Sequence, residues 1–339
     1  MTSSLRVGIS GYGLAGRIFH GPLLKGCGFE VGAILTTAAQ RIAQATSDFP
    51  DARIVSNISD LVAEPLDLLV VASANTVHAE QSMAGLRAGI PVVVDKPMGR
   101  SLAETKSIVD LSAELKVPVT VFFNRRWDSD ALTIKRVIAE GSLGKIFRLD
   151  SRFERFRPNL TPGSWREGLS PAKGGGLLLD LQSHLISQAL DWFGPAELKY
   201  SSVRSLRGAS DDDVVIALNH GSGVDSYLST SSVAGSNGPR IRILGTQGAL
   251  IITDLDPQEA LLRTGAIPQG GKWEVATNSA AFLHQGEEVQ EIPSENGNYA
   301  TFYNLVKGAL RHENSWPVKT FDALAVASLV DQARAASSR

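Results

Sequence analysis

The chain has 339 residues, with 33 Lys+Arg against 35 Asp+Glu, a formal net charge of −2. That length suggests two domains, each large enough for its own core, and the even charge balance excludes a general attraction for nucleic acid. Cys27 is the only cysteine, so no intrachain disulfide can form. With no apolar stretch of membrane-spanning length and no signal peptide ahead of the first strand, the expected setting is cytoplasmic.

Leu5, Val7 and Ile9 read as a short strand, and Leu14, Ile18, Phe19 and Leu23 as one face of a helix. Between them stand Gly11, Gly13 and Gly16 in G-x-G-x-x-G spacing. Strand, glycine turn and helix in this order are the context a dinucleotide-binding motif requires. Gly11 allows the tight turn, Gly13 leaves room for a pyrophosphate, and Gly16 lets helix and strand pack closely. Leu14 and Ala15 open the helix, whose unpaired N–H groups favour phosphate.

Phe29 to Leu35 is the second expected strand and Ala38 to Phe49 a helix. An NAD site places an acid at the end of this strand for the ribose 2′-OH. The segment Thr36-Thr37-Ala38-Ala39-Gln40-Arg41 has none, and the first acid is Asp48. Thr36 and Thr37 offer hydrogen bonds and Arg41 a charge-assisted partner for a 2′-phosphate. The expectation is NADP preferred, with NAD possible.

Leu66 to Ala72 is a continuous apolar run, as in a parallel strand buried on both faces. Ser73, Asn75 and His78 follow it and are candidates for cofactor contact, since ligands sit at the carboxyl ends of parallel strands. A helix is expected from Thr76 to Ala88, a strand at Val92 to Val94, and then Asp95-Lys96-Pro97 at another strand tip. Pro97 fixes the local backbone and so holds Lys96 there. Ser101 to Glu104 is a capping box, with Ile108, Leu111 and Leu115 marking the helix behind it. Val117 to Phe123 closes a parallel sheet with right-handed crossovers. The predicted division is a dinucleotide-binding Rossmann-type domain over residues 1–123 and a substrate-binding, oligomerising α+β domain over 124–339.

From about residue 145 the rhythm becomes strand after strand: Ile146 to Phe156, Glu197 to Leu206, Val214 to Asn219, Tyr227 to Val233, Arg240 to Leu244 and Ala249 to Thr253. This predicts a large, mostly antiparallel open sheet. A long helix is expected from Leu177 to Phe193, opened by Gly174-Gly175-Gly176 and stopped by Gly194-Pro195. Helices are also expected over 299–311 and 320–336. Ser226, Ser229, Thr230, Ser231 and Ser232 suggest a small, polar sheet face, either solvated or paired with another subunit as a dimer or tetramer.

Asp180 and His184 are spaced i, i+4 and would share a helix face. Imidazole titrates near neutrality and suits a general base for a hydroxyl. A zinc site needs three or four ligands and no third His or Cys lies nearby, so no metal is expected.

Together, Gly11-x-Gly13-x-x-Gly16, Asp95-Lys96-Pro97, and Gly174-Gly175-Gly176 followed by Asp180-x-x-x-His184 resemble the Gfo/Idh/MocA oxidoreductase family. Tyr12 to Gly16, Phe19-His20-Gly21-Pro22, Asn124 to Asp128, Arg155 to Pro158, Trp165-Arg166-Glu167, Gly238-Pro239-Arg240, Asp256 to Glu259 and Asn296 to Tyr299 look like its branch of bacterial NADP-dependent scyllo-inositol dehydrogenases. The resemblance implies hydride transfer between nicotinamide and a hydroxyl or keto carbon of a cyclic polyol or sugar. Lys96 would polarise the reacting hydroxyl, His184 exchange its proton, and Asp180 contact substrate and His184. Asn124, Arg126, Trp127, Arg155, Trp165 and Arg166 would line the substrate side. Arg148, Arg152, Arg155 and Arg157 can equally form a solvated or interface strand face. Asp95 stands where the family more often has Glu, Gln182 where it often has Gly, and Ser187 where it often has Asp, which would remove a supporting carboxylate. Two other readings are compatible: an NAD-dependent glycosidase or lyase with transient redox chemistry, and a non-catalytic NADP-binding sensor.

Overall fold

The structure, a computed structural model, describes residues 4–161, 163, 165–208, 210–236 and 238–337. The chain divides into two compact units. The first comprises Met1–Asn124 together with Gln258–Ala276 and Asn298–Leu324, and the second Arg125–Pro257, Thr277–Gly297 and Ala325–Arg339.

The first unit is built on six strands: β1 Arg6–Ser10, β2 Glu30–Leu35, β3 Arg53–Val55, β4 Leu68–Val71, β5 Val92–Asp95 and β6 Val119–Phe122. They pair in parallel in the order β3-β2-β1-β4-β5-β6, the dinucleotide-binding order that reverses direction between β1 and β4. Burial on both faces explains the unbroken apolar runs: Leu68 to Val71 and Val92 to Val94 are fully buried. Each such side chain contributes about 1.5–3 kcal/mol on removal from water. The late segment Asn298–Leu324 supplies the helix Ala300–Leu310, whose Phe302 and Tyr303 are fully buried. Their rings meet Phe122 edge-on at 4.9 Å and tilted at 5.9 Å. Sequence reading assigns this helix by its pattern but has no signal for which sheet it covers.

The second unit holds an eight-stranded sheet: β7 Ile146–Glu154, β8 Ala196–Arg204, β9 Asp213–His220, β10 Asp225–Ser231, β11 Ile241–Gly245, β12 Ala249–Ile252, β13 Ala281–Gln285 and β14 Glu288–Ile292. Its order is β14-β13-β12-β11-β7-β10-β9-β8, antiparallel throughout except where β10 runs parallel to β7. Val214, Ile216 and Leu218 alternate with less buried neighbours on β9, so one face is covered. Helix Ser183–Phe193 and the π-turn before it, Leu178–Gln182, pack against β10. On the opposite face Tyr200, Ala217, Tyr227, Asp150 and Arg242 lie in one cross-strand row. Tyr200 and Tyr227 are exposed there.

Two expectations need correction. Ser226 and Thr230 do not face outward with Tyr227. The two-residue period of β10 turns Ser226, Leu228 and Thr230 to the covered face, where the Ser226 hydroxyl meets His220 Nε2 at 2.9 Å. The four arginines do not share one face either. Arg148 and Arg152 alternate with Phe153 on β7, with Arg148 stacked on Tyr227, whereas Arg155 follows the strand and lies over Phe153. Among elements not anticipated, helix Ser129–Glu140 is held at its start by Asp256 Oδ2, which accepts from Ser129 N–H at 2.7 Å.

Candidate active site

In the first unit the glycine turn follows β1 directly. Gly11 has φ +96°, and its N–H donates to the Leu35 carbonyl at 3.0 Å. A Cβ on Gly11 would lie 2.5 Å from Ser73 Cα, and one on Gly16 only 2.0 Å from the Gly11 carbonyl oxygen. Both positions therefore exclude any side chain. Gly13 is different: nothing crowds it, and the Arg41 guanidinium stands 3.9 Å from where its Cβ would be. Leu14 and Ala15 lead into a helical stretch that begins as a π-turn, Ala15–His20, and continues as Gly21–Gly26. Tyr12 is buried under the turn, its hydroxyl donating to Asp48 Oδ2 at 2.9 Å, with Arg17 Nε on the same oxygen at 2.8 Å. Asp48 is thus occupied in holding the turn.

The turn after β2 carries no acid in the first turn of helix Ala39–Asp48. Thr36 is buried, with its N–H on the Val55 carbonyl at 3.1 Å, while Thr37 and Arg41 are exposed. These features fit a dinucleotide: a glycine cradle that a Cβ would fill, an open Gly13, and a cation beside it.

At the tip of β4 the structure adds a residue that sequence reading missed. Gln81 Oε1 accepts from both Ser73 Oγ at 2.6 Å and Ser10 Oγ at 2.8 Å, joining two strand ends. A polar residue one turn inside a helix carries no signal for this. Asn75 is buried at the start of a short turn, Asn75–Val77. His78 is also buried, and its ring bridges the Pro97 carbonyl (Nδ1, 2.8 Å) and the Ser73 carbonyl (Nε2, 3.1 Å). Burial lowers the His78 pKa against the opposing pull of Asp95 and the two carbonyls. It ties the two strand tips together rather than standing open to a ligand.

Lys96 is half-buried at the tip of β5 and joined to Pro97 by a cis peptide bond. Its N–H donates to Asp95 Oδ1 at 2.9 Å. Lys96 is therefore gripped on its own N–H and, one residue on, through the Pro97 carbonyl. Asn124, buried, closes this unit at the end of β6.

In the second unit the triple glycine has a physical reason. A Cβ on Gly175 would lie 2.0 Å from the Leu169 carbonyl, and one on Gly176 (φ +94°) 2.0 Å from Asp211 Oδ1. Asp211 Oδ2 accepts from Leu178 N–H at 2.6 Å, so it caps the helical stretch that carries Asp180 and His184. Asp180 lies in the π-turn and His184 in the α-helix beyond it. The wider π-turn rotates the two relative to the uniform 3.6-residue spacing assumed from sequence, and such turns recur at functional sites. Asp180 is half-buried and His184 buried.

The two departures on this helix find partners. Gln182 Nε2 donates to the Leu228 carbonyl at 3.1 Å, bonding helix to sheet. Ser187 Oγ accepts from Arg126 Nε at 2.9 Å, and the carboxylate absent there is supplied one turn later by Asp191, 3.5 Å from Arg126 Nη1 and 2.7 Å from Lys135 Nζ. Arg126 is consequently buried against this helix. Arg155, Arg125 and Arg240 place their guanidinium carbons 5.5, 4.7 and 4.4 Å from the centre of the buried Phe153 ring. Trp127 is half-buried on the turn Asn124–Trp127. Trp165 and Arg166 open the turn Trp165–Gly168, and their side chains lie outside the described residues. Among the described residues, no cluster of three or more His, Cys, Asp or Glu is arranged to hold a metal, and no helix is long and apolar enough to cross a membrane.

Residues 5–123 match the model of an oxidoreductase family with an NAD-binding Rossmann fold, and residues 131–251 that of the GFO/IDH/MocA C-terminal domain. The chain belongs to the Gfo/Idh/MocA oxidoreductase family. Within it, this oxidoreductase is 32% identical to scyllo-inositol 2-dehydrogenase (NADP(+)) IolW of Bacillus subtilis, over 98% of this chain and 94% of that protein. It is 33% identical to the oxidoreductase YdgJ of Escherichia coli, which has no assigned reaction, over 98% of this chain and 96% of that one. Among solved structures, the Bacillus subtilis oxidoreductase YvaA superposes with a TM-score of 0.90 at 32% identity, covering 100% of this chain and 97% of that one. The chain is thus an NAD(P)-binding oxidoreductase of the dehydrogenase type.

Proposed function

We propose that this oxidoreductase prefers NADP and transfers a hydride between nicotinamide and a hydroxyl-bearing carbon of a cyclic polyol or sugar of inositol type. The observation that carries the cofactor choice is the acid-free turn after β2, with the Arg41 guanidinium beside Gly13. A carboxylate there would repel a 2′-phosphate, whereas Arg41 attracts it. The substrate class is supported by the family and by the inositol dehydrogenase among the relatives.

When bound, the nicotinamide supplies the hydride acceptor or donor. The chain's own residues handle binding and the proton. Lys96 holds the reacting hydroxyl and stabilises negative charge as it develops on that oxygen. His184 takes the hydroxyl proton in oxidation and returns it in reduction. Asp180 orients the imidazole and contacts the substrate. Asn124, Trp127 and Arg155 contribute hydrogen bonds and apolar surface to the polyol, while Arg126 supports the His184 helix. The reading includes a homo-oligomer formed through the Tyr200–Tyr227 face of the eight-stranded sheet. A solution mass of two or four chains is expected by light scattering, and a monomer at micromolar concentration contradicts it.

Steady-state kinetics with both cofactors test the reading of the turn. kcat/KM with NADP is expected to exceed that with NAD, and Arg41→Ala to lower the NADP value about tenfold while leaving NAD within about twofold, the size of a charge-assisted contact. A tenfold preference for NAD in the unaltered enzyme overturns it.

A further inference from the structure

Behind Lys96 the first unit buries two polar rings that the proposed reaction does not use. His20 ends the π-turn Ala15–His20, and Tyr303 lies on helix Ala300–Leu310; both are fully buried. The Tyr303 hydroxyl is 2.6 Å from His20 Nδ1, and His20 Nε2 is 3.7 Å from Asp95 Oδ1. That same Asp95 oxygen accepts the Lys96 N–H. The His20 ring is also packed on Phe122 at 4.6 Å, which fixes its plane. A buried pair of polar rings costs more than an apolar pair unless each polar atom is used. Here His20 Nε2 makes no hydrogen bond, and the polar group it faces is Asp95 Oδ1, within ion-pair reach at 3.7 Å and itself bonded to the lysine N–H.

We propose that His20, backed by Tyr303, is a positioning residue for Lys96: it holds the Asp95 carboxylate that fixes the lysine at the tip of β5. Because His20 closes the helical turn that begins at the glycine cradle, it also links the cofactor helix to the lysine. The proposal rests on the reading of Lys96 given above.

The proton arrangement is consistent. Burial, then the charges of Asp95 and Cys27, push the Tyr303 phenol well above its ordinary range, so it keeps its proton beside Nδ1. With Nδ1 turned to the phenol, the other ring nitrogen, Nε2, faces the carboxylate. The groups around Asp95 are His20 from the π-turn, His78 from helix His78–Arg87, Tyr303 from Ala300–Leu310, and Lys96 on its own strand. Burial raises the Asp95 pKa, but the His20 contact, followed by the charges of His20, Lys96 and His78, brings it below the ordinary value. Without His20 the burial effect gains, the carboxyl titrates higher, and as pH falls it becomes neutral sooner.

Two variants and one conservative replacement test this. His20→Asn and Tyr303→Phe are expected to lower kcat increasingly toward acid pH, by up to about tenfold below about pH 4.5, and much less near pH 7, one pKa unit being at most a tenfold effect. Cofactor Kd should stay within about twofold. His20→Gln, whose amide can reach Asp95, should recover part of the loss. Titration of isotope-labelled aspartate side chains, with Asp95 assigned from Asp95→Asn, reads the carboxyl directly and needs no turnover. In folded His20→Asn or Tyr303→Phe the Asp95 signal should titrate about one pH unit higher than in the unaltered protein. An unmoved Asp95 titration overturns the proposal, as does a moved titration with kcat uniform across pH. Failure of the Lys96 reading shows itself separately, as near-normal turnover of Lys96→Ala.

Discussion

Lys96→Ala is expected to lower kcat by about three orders of magnitude while cofactor affinity changes little. Removing one preorganised donor from a developing oxyanion costs about a hundred- to a thousandfold. The grip on Lys96 places this residue at the upper end. Its N–H is fixed by Asp95 and the following carbonyl by His78, so the backbone that carries the side chain is set before substrate arrives. Lys96→Arg should recover little, because a planar guanidinium does not replace a compact ammonium. Single-turnover rates with the cofactor saturating check the result. The glycine cradle is untouched by either change, so a large loss of cofactor binding would point to a misfolded tip rather than to missing chemistry.

His184→Ala is expected to lower kcat by about a hundred- to ten-thousandfold, the range for general acid–base catalysis. The side chain is buried on a helix whose start is fixed by Asp211 and whose next turns are fixed by Arg126 through Ser187 and Asp191. Such a mounting limits the rotamers available to the imidazole, so Ala removes the proton carrier without loosening the helix. The residual rate should lose the pH dependence that a general base confers. An intact pH profile in His184→Ala would assign the proton to another group. Asp180→Asn should cost less, since it leaves the imidazole in place.

Much of this was legible in the residues. The parallel strands announce themselves because burial on both faces leaves no polar alternation, as at Leu68 to Val71. Gly11, Gly16, Gly175 and Gly176 are readable because each meets an atom that forbids a Cβ. What the pattern could not carry is long-range. Nothing local indicates that Tyr303 would meet His20, or that Asp191 would take the place of an acid at 187. The π-turn at Leu178–Gln182 was hidden because a run of leucines satisfies either helical period. The edge strand β14 carries a weak signal for a different reason. Glu288, Gln290 and Glu291 are exposed, so apolar alternation there is weak. Ser226 and Thr230 carry no local sign of their orientation, since small polar residues suit a solvated face, whereas here they lie beneath a helix and hydrogen-bond inward or pack closely.

Isotope transfer tests the central claim most directly. A cyclic polyol such as an inositol, deuterated at its hydroxyl-bearing carbons, is mixed with NADP and the enzyme, and the reduced cofactor is recovered. The account predicts one deuterium on the nicotinamide ring for each ketone formed, on a single face, with turnover about a thousandfold slower in Lys96→Ala. Product formed by bond cleavage with no net reduction of the cofactor, or no deuterium on the recovered ring, would contradict it.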